Sequence, residues 1–554
     1  MSITDLYPDY PATYPLDSLR QTEYSSLDEQ DHVYLDYTGS GLASRSQHAH
    51  HASRLSSTVF GNPHSTNPTS SAATEAIHLT RLRVLSHLSA SEDEYTVIFT
   101  ANATGAARLV GESYPFSRST GLVATADNHN SVNGIRELAR VKGAKTRYVP
   151  ITTPDLRVET TEVVSALSSK RKRRKLLSLA SGSWKGVKRL FGSCFKSGSS
   201  SFSSSSTSSS SFPSPATSKI KHYRDDSGSQ FSEKKIMTVI ATESNENKTQ
   251  TRRKAKGLFA FPAQSNFTGV QHPLSWVPLA QEQGYDVLLD AAAFLPTSTL
   301  DLSAIKPEFV IASFYKIFGY PTGVGCLVAK KEALARLKRP WFAGGTVQAV
   351  TVSMSWHSMA PDEQAFEDGT VNFWSIPDVA FGLDFIDSVG LGLISARVKY
   401  LAGWFLWRLQ GLKHSDGRPM VRVYGPADPN NLVMRGGTVA FNFLDAQGRV
   451  VDERIVGTEA AAARISLRTG CFCNPGAGEA ALGLDAAAIK KLARTKQLTG
   501  GVDEFIKLLG LPSAGAIRVS FGIASTVEDV NRFFEFAELY KDRVVSSDGL
   551  PPRG

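Results

Sequence analysis

The 554 residues are 41% hydrophobic and 20% charged with a formal net charge of +9, the make-up of an ordinary globular chain. They are enough for one large α/β domain with a smaller partner domain. The positive excess gathers in one serine-rich segment, in Lys170 to Lys175 and at Lys185, Lys188, Arg189 and Lys196, so it reads as a solvated loop, with a nuclear-import or anionic-surface patch as the alternative, and no nucleic-acid partner is expected. Four cysteines without a C-x-x-C pair, Cys194, Cys326, Cys471 and Cys473, exclude a disulfide framework and supply no closed zinc site, which points to a reducing, cytoplasmic setting. No apolar run reaches about 18 residues and Met1 to Asp31 holds no apolar signal core, so neither a membrane span nor a leader is expected.

In chain order, residues 1–30 read as an extended arm, followed by a short strand and glycine turn at Tyr34 to Gly41. A helix follows with His48, His50 and His51, an exposed face in this reading because no carboxylate or cysteine stands at ligand spacing. From Tyr95 a strand, turn and helix pattern recurs. Thr96 to Thr100 leads into Ala103-Thr104-Gly105, Leu122 to Ala126 into His129, and Leu258 to Phe261 into Asn266. Asp286 to Asp290 ends on its carboxylate, and Phe309 to Ala312 leads into Ser313, Tyr315 and Lys316. Strands alternating with helices predict βαβ units and a mostly parallel sheet, in which ligands sit beyond the carboxyl ends of the strands. Five successive strands deliver polar groups to that end.

Between about 165 and 235 the pattern is interrupted by a basic and then serine-rich insertion, too poor in apolar residues to fold and carrying Cys194. Trp184, Val187, Leu190 and Phe191 could form one amphipathic turn inside it. The large domain is assigned to 31–345. Residues 346–554 form an inter-domain helix, Asp378 to Leu412, and a small α+β domain with strands near Val421 to Tyr424, Thr438 to Phe443 and Ala516 to Ser520. That domain also has a loop from Leu467 to Glu479 and a last helix from Val527.

Taken as one site, the strand ends carry a recognisable chemistry. Lys316 is hemmed by Phe314, Tyr315, Ile317 and Phe318, and a desolvated amine is a nucleophile for a Schiff base; taken alone it reads sooner as a strand-end lysine pointing to water, and the other strand ends reverse that. Asp290 ends an apolar strand, where a carboxylate needs a positive partner such as a protonated pyridine nitrogen. The 26 residues from Asp290 to Lys316 leave room for a parallel crossover. Thr104 and Gly105 open a helix whose free N–H groups favour a phosphate. Ser313 adds a hydroxyl, His129 could stack on a ring or shuttle a proton, and Asn266 could bond a ring oxygen.

The chain resembles the fold-type I pyridoxal-phosphate enzymes of the class V aminotransferase group, which includes cysteine desulfurases, and within it the desulfurase-like domain of the molybdenum cofactor sulfurases. The resemblance rests on Gly61-Asn-Pro-His-Ser65, Asp127-Asn-His-Asn-Ser-Val132 and Phe261-Pro-Ala-Gln-Ser-Asn-Phe267. Two longer motifs carry it further: Ser313-Phe-Tyr-Lys-Ile-Phe-Gly-Tyr-Pro-Thr-Gly323 and Leu467-Arg-Thr-Gly-Cys-Phe-Cys-Asn-Pro-Gly476. It implies a pyridoxal 5'-phosphate enzyme with Lys316 as Schiff-base lysine, Asp290 on the pyridine nitrogen and His129 stacked on the ring. Thr104, Ser313 and Tyr315 become phosphate or ring contacts. It makes Thr370 a phosphate contact lent to the neighbouring subunit of a homodimer, and Arg518 the clamp on the substrate carboxylate, a task suited to a bidentate guanidinium.

The reaction implied is desulfuration of L-cysteine to L-alanine with a protein persulfide, the sulfur passing to molybdenum cofactor or to a partner that binds it. The nucleophile must be an accessible, low-pKa thiol on a mobile loop. In the Leu467 to Gly478 segment, the similarity of Arg468-Thr-Gly-Cys-Phe-Cys473 to the Arg-Thr-Gly-x-x-Cys loop of one desulfurase subgroup implies Cys473, with Cys471 as runner-up or helper. Cys326, in an apolar strand, reads as core. Ala293 replaces a glutamine common in desulfurases three residues after the aspartate, Tyr315 replaces a histidine before the lysine, and Gly478 replaces a third cysteine. Other readings stay open: another class V enzyme, such as an aminotransferase, an epimerase or a general desulfurase, or a non-catalytic scaffold on the same fold.

Overall fold

The computed structural model describes residues 1–168, 255–484, 486–493, 501–511, 513–547, 550 and 553. Beyond residue 168, the serine-rich insertion, with Cys194 and the turn around Trp184, lies outside the described residues. The N-terminal segment is not an extended arm. It forms short helices at Ile3–Leu6, Tyr10–Thr13, Pro15–Glu23 and Ser26–Glu29. Pro11 and Pro15 sit in first turns, where the missing N–H breaks no helical bond, so they start helices instead of interrupting them. Ile3, Tyr10 and Leu16 are buried. Buried Arg397 donates to the Thr13 carbonyl and hydroxyl and to Asp17, and Arg20 bonds Asp529, so the segment is pinned to the body by charge-assisted bonds.

In chain order the strands are β1 (Val33–Tyr34), β2 (Tyr95–Thr100), β3 (Gly121–Thr125), β4 (Thr146–Val149), β5 (Gly257–Pro262), β6 (Tyr285–Asp290), β7 (Phe309–Ser313) and β8 (Gly325–Lys330). A hairpin of β9 (Val347–Thr351) and β10 (Trp356–Met359) follows, then β11 (Val421–Tyr424), β12 (Thr438–Phe443), β13 (Ile465–Ser466), β14 (Arg468–Gly470) and β15 (Ala516–Ser520). A seven-stranded sheet runs β2-β8-β7-β6-β5-β3-β4, with only β8 antiparallel to its neighbours. The eleven residues between β7 and β8 are too few for a parallel crossover, so the chain turns back on itself. Leu258 to Phe261, Val287 to Leu289 and Phe309 to Ile311 are fully buried, which is why these strands read as unbroken apolar runs. The edge strand β4, Thr-Arg-Tyr-Val, is only partly covered and so lacks that signal. The carboxyl ends of β2, β3, β5, β6 and β7 share one rim, as the strand pattern required.

A second sheet, antiparallel, runs β11-β12-β15-β14. Its strand β14 lies in what reads as loop from sequence; Arg468 sits opposite Arg518 in its register with β15. The helix expected over Asp378 to Leu412 is two helices, Ile376–Val389 and Leu391–Gly411, bent by 70°. Gly390 between them has φ +91°, a conformation that breaks the helix and that glycine adopts without strain. No single helix among the described residues is long and apolar enough to cross a membrane. The histidines of the helix Arg45–Ser57 are not all on a free face: His51 Nδ1 lies 2.7 Å from Asp378 Oδ2 and the His50 ring stacks on Phe381 at 4.2 Å.

Candidate active site

Thr104, His129, Asn266, Asp290, Ser313, Tyr315 and Lys316 line one cavity at the sheet rim, joined there by Ser131 and Gln264. Lys316 lies in a five-residue helix, Phe314–Phe318, directly after β7. The turn at residues 39–43 packs on that helix: Gly41 N–H donates to the Tyr315 carbonyl, and a Cβ on Gly319 (φ +80°) would stand 2.2 Å from Ala43 N. Burial lowers the Lys316 ammonium pKa and the positive charges of Arg518 and Arg468 push the same way, while Asp290 and Asp36 oppose them. The neutral amine is therefore more accessible than in an ordinary lysine.

His129 caps the short helix that follows β3; Ser131 N–H donates to its Nδ1 at 3.1 Å, which leaves the ring proton on Nε2. Burial lowers its pKa, and Lys316 adds to that, so the ring is neutral. Asp290 is 8% exposed, accepts the Ala292 N–H at 3.0 Å and has no ion-pair partner among the described residues. A buried carboxylate of this kind calls for a cation facing it across the cavity.

At the start of the helix Ala103–Ser113, Ala103 N–H is taken by Ser313 Oγ at 2.9 Å and Gly105 N–H by the capping Asn102 Oδ1 at 3.0 Å. Thr104 N–H alone of these three has no acceptor among the described residues, and its hydroxyl is 2.7 Å from Ser131 Oγ. Gly105 thus contributes helix geometry, and it lines a neighbouring cleft with Thr370, Arg108 and Trp341. Thr370 is exposed in that cleft, 3.5 Å from Asn62 Nδ2, outside the Lys316 cavity. Asn266 lines the cavity, but its amide is spent on the cysteine segment: Nδ2 donates to the Phe472 carbonyl and Oδ1 accepts from Asn474. The amide beside Ala293 is that of Gln264, whose Nε2 donates to the Ala293 carbonyl at 2.9 Å. Sequence reasoning did not single it out.

The cysteine segment is tied to the same rim. Cys471 and Cys473 are exposed, and Phe472 between them is buried. The Cys473 carbonyl accepts Asn130 N–H at 2.7 Å, one residue beyond His129. Asn474 is fully buried and donates to Asp127 Oδ1 at 2.6 Å; Ser265 and His272 bond the same carboxylate. Gly476 packs on the Ala126 carbonyl. Phe472 and Cys473 have φ of +54° and +55°, so the segment holds two successive non-glycine residues in the left-handed region. These anchors come from Ala126, Asp127 and Asn130, residues distant in sequence, and they tie the segment down at Cys473 and beyond, which differs from the expectation of a mobile loop. Cys326 lies in the core, as expected, its thiol pushed up to about 12 by burial.

Arg518 and Arg468 meet through Asp36, a residue the sequence reading passed over. Asp36 Oδ1 accepts Arg518 Nη2 at 2.8 Å, and Oδ2 accepts Arg468 Nη2 at 2.6 Å and Nε at 2.9 Å. Arg518 also donates to the Asn266 carbonyl and stacks over Phe472, its guanidinium carbon 4.8 Å from the ring centroid. The two arginines, the cysteine segment and the cavity thus form one connected site. Its donor set, with a lysine whose ammonium pKa is lowered by burial, a buried unpaired carboxylate, a neutral imidazole and an open N–H at a helix start, can hold a pyridine-type phosphate cofactor.

The profile of the family Aminotransferase class-V matches residues 33–184 and 236–533. The chain is 32% identical over 563 residues to the molybdenum cofactor sulfurase of Arabidopsis thaliana, covering 99% of this chain and 60% of that protein. It is 34% identical over 540 residues to that of Solanum lycopersicum, covering 94% and 57%, and 30% identical over 554 residues to that of Homo sapiens, covering 97% and 52%. The chain thus spans between half and three-fifths of the length of these relatives. Among solved structures the fold is similar to the apo cysteine desulfurase of Thermococcus onnurineus NA1, with a TM-score of 0.64, 19% identity and 94% and 97% of the two chains covered. It is also similar to the cysteine desulfurase CsdA of Escherichia coli, with a TM-score of 0.60, 17% identity and 95% and 99% covered. With the family profile matched across most of its length and the same fold in those structures, the chain belongs to the class V aminotransferase family.

Proposed function

We propose that the protein is a pyridoxal 5'-phosphate-dependent L-cysteine desulfurase of the molybdenum cofactor sulfurase type, acting as a sulfurtransferase. The observation that carries this reading is the attachment of an exposed thiol segment to the rim of the lysine cavity, through Asn130 N–H to the Cys473 carbonyl and Asn474 to Asp127. Lys316 would hold the cofactor, Asp290 would face its pyridine nitrogen, His129 its ring, and Thr104 N–H with the Thr104 and Ser131 hydroxyls its phosphate. When bound, the cofactor supplies an electron sink that weakens the bonds at the substrate's α-carbon. Lys316 Nζ, favoured as the free amine, accepts and returns protons. Arg518 holds the substrate carboxylate. Cys473 Sγ takes the substrate's sulfur, so that one L-cysteine and one thiol become one L-alanine and one persulfide.

The sulfur then goes to molybdenum cofactor, or to a partner that binds it, a reading supported by the names of the relatives. A homodimer is supported by exposed Thr370 and by the apolar surface near it. Trp341, in the same cleft, is 54% exposed, and Val352, Met354 and Trp356 of the β9–β10 hairpin are 102%, 70% and 53% exposed. Two exposed thiols fit a reducing, cytoplasmic setting. The test is incubation with L-cysteine, with alanine quantified and the persulfide mapped by mass spectrometry in wild type, Lys316→Ala, Cys473→Ala and Cys471→Ala. Wild type should form both products, Lys316→Ala neither, and Cys473→Ala no persulfide. No alanine from wild type refutes the desulfurase reading.

A further inference from the structure

The Asp36 cluster goes beyond a clamp made of one arginine. Two guanidiniums, Arg468 and Arg518, share a single carboxylate, so the cluster carries one positive charge in excess. The sharing is unequal. Both Nε and Nη2 of half-exposed Arg468 bond Asp36, whereas buried Arg518 offers it only Nη2. Arg518 Nε, on the same edge of the guanidinium as Nη2, is buried and has no partner among the described residues. A buried N–H without an acceptor is costly, and one beside a half-used edge is an unfilled bidentate site for a second carboxylate. Gly39 keeps the arrangement possible: a Cβ there would stand 2.4 Å from Asp36 Oδ2 and 2.7 Å from Arg468 Nη2.

We propose that Asp36 is a resident carboxylate that the substrate's carboxylate displaces from Arg518, Asp36 then resting on Arg468 alone. This rests on the amino-acid substrate proposed above. After the exchange two guanidiniums face two carboxylates, and the Nε–Nη2 edge of Arg518 is filled. Asp36 is therefore a positioning residue. It aims both arginines and sets the competition an incoming ligand must win, so it selects for a full carboxylate over a neutral amide, which cannot take the place of a charged group.

Calorimetric titration of the purified protein with L-alanine and with L-alaninamide tests this in wild type, Asp36→Asn and Arg468→Gln. Removing the resident charge should tighten L-alanine about tenfold, and removing the residue on which Asp36 comes to rest should weaken it about tenfold, with L-alaninamide unmoved in both. Asp36→Glu, which keeps one carboxylate in the cluster and guards against misfolding of the asparagine variant, should stay within about threefold of wild type. Weaker L-alanine binding in Asp36→Asn, or equal shifts for both ligands, overturns the exchange and leaves Asp36 as plain structural support. Alanine formation from L-cysteine by wild type is followed separately. Its absence refutes the desulfurase reading, while unmoved Asp36→Asn affinity in an active protein refutes only the exchange.

Discussion

Gly476→Ala isolates the attachment of the cysteine segment from the cofactor cavity. A Cβ at Gly476 would stand 2.2 Å from the Ala126 carbonyl oxygen and 2.9 Å from its carbon, where ordinary contact begins at 3.4 Å. Both atoms belong to the backbone beyond β3, so no side chain can swing aside and the segment itself must retreat. Retreat stretches two bonds, Asn130 N–H to the Cys473 carbonyl and Asn474 Nδ2 to Asp127 Oδ1, the second to a buried carboxylate. Overpacking or the loss of these bonds costs about 3 kcal/mol. Urea unfolding should show that loss, with retention of added pyridoxal phosphate unchanged because no cofactor-facing residue is touched. Persulfide formation should fall at least tenfold, and alkylation of Cys473 should quicken as its anchor opens. Wild-type stability together with wild-type persulfide yield would refute the claim that this contact positions the thiol.

Asn474→Ala removes three of the same segment's bonds, to Asp127, to Asn266 and from the Ala477 N–H, and deprives the buried Asp127 carboxylate of a donor, so it should destabilise by about 2 kcal/mol in the same urea assay. Arg518→Lys keeps the charge but loses the planar fork; steady-state kinetics should show KM for L-cysteine raised about tenfold with a smaller change in kcat. Cys326 makes a separate, pH-linked contribution. The unfolded thiol ionises near 9.0 and the buried one at about 12, so above pH 9 the folded state binds more protons than the unfolded one and stability falls as pH rises. The fall approaches about 1.4 kcal/mol per pH unit in that window, and Cys326→Ala should show a correspondingly shallower decline in urea midpoints from pH 8 to 10.5.

Residue order alone determined the strand ends. A parallel sheet buried on both faces demands unbroken apolar runs, and each run breaks where polar residues reach the rim, so Lys316, Asp290, His129 and Thr104 could be named as one cavity before any coordinates. Local chemistry was equally legible in the thiol pair of Cys471 and Cys473. Tertiary structure alone decided what those groups bond to. Asp36 lies 432 residues before Arg468 and carries no periodic signal; only the alignment of β14 beside β15 brings both arginines onto it. Asn266 and Gln264 are two residues apart on one turn, yet packing of the cysteine segment takes the first amide and leaves the second beside Ala293. Strand periodicity records which faces are buried, because burial repeats along the chain. Hydrogen-bond partners across a site depend on how distant segments pack, and no local pattern encodes that.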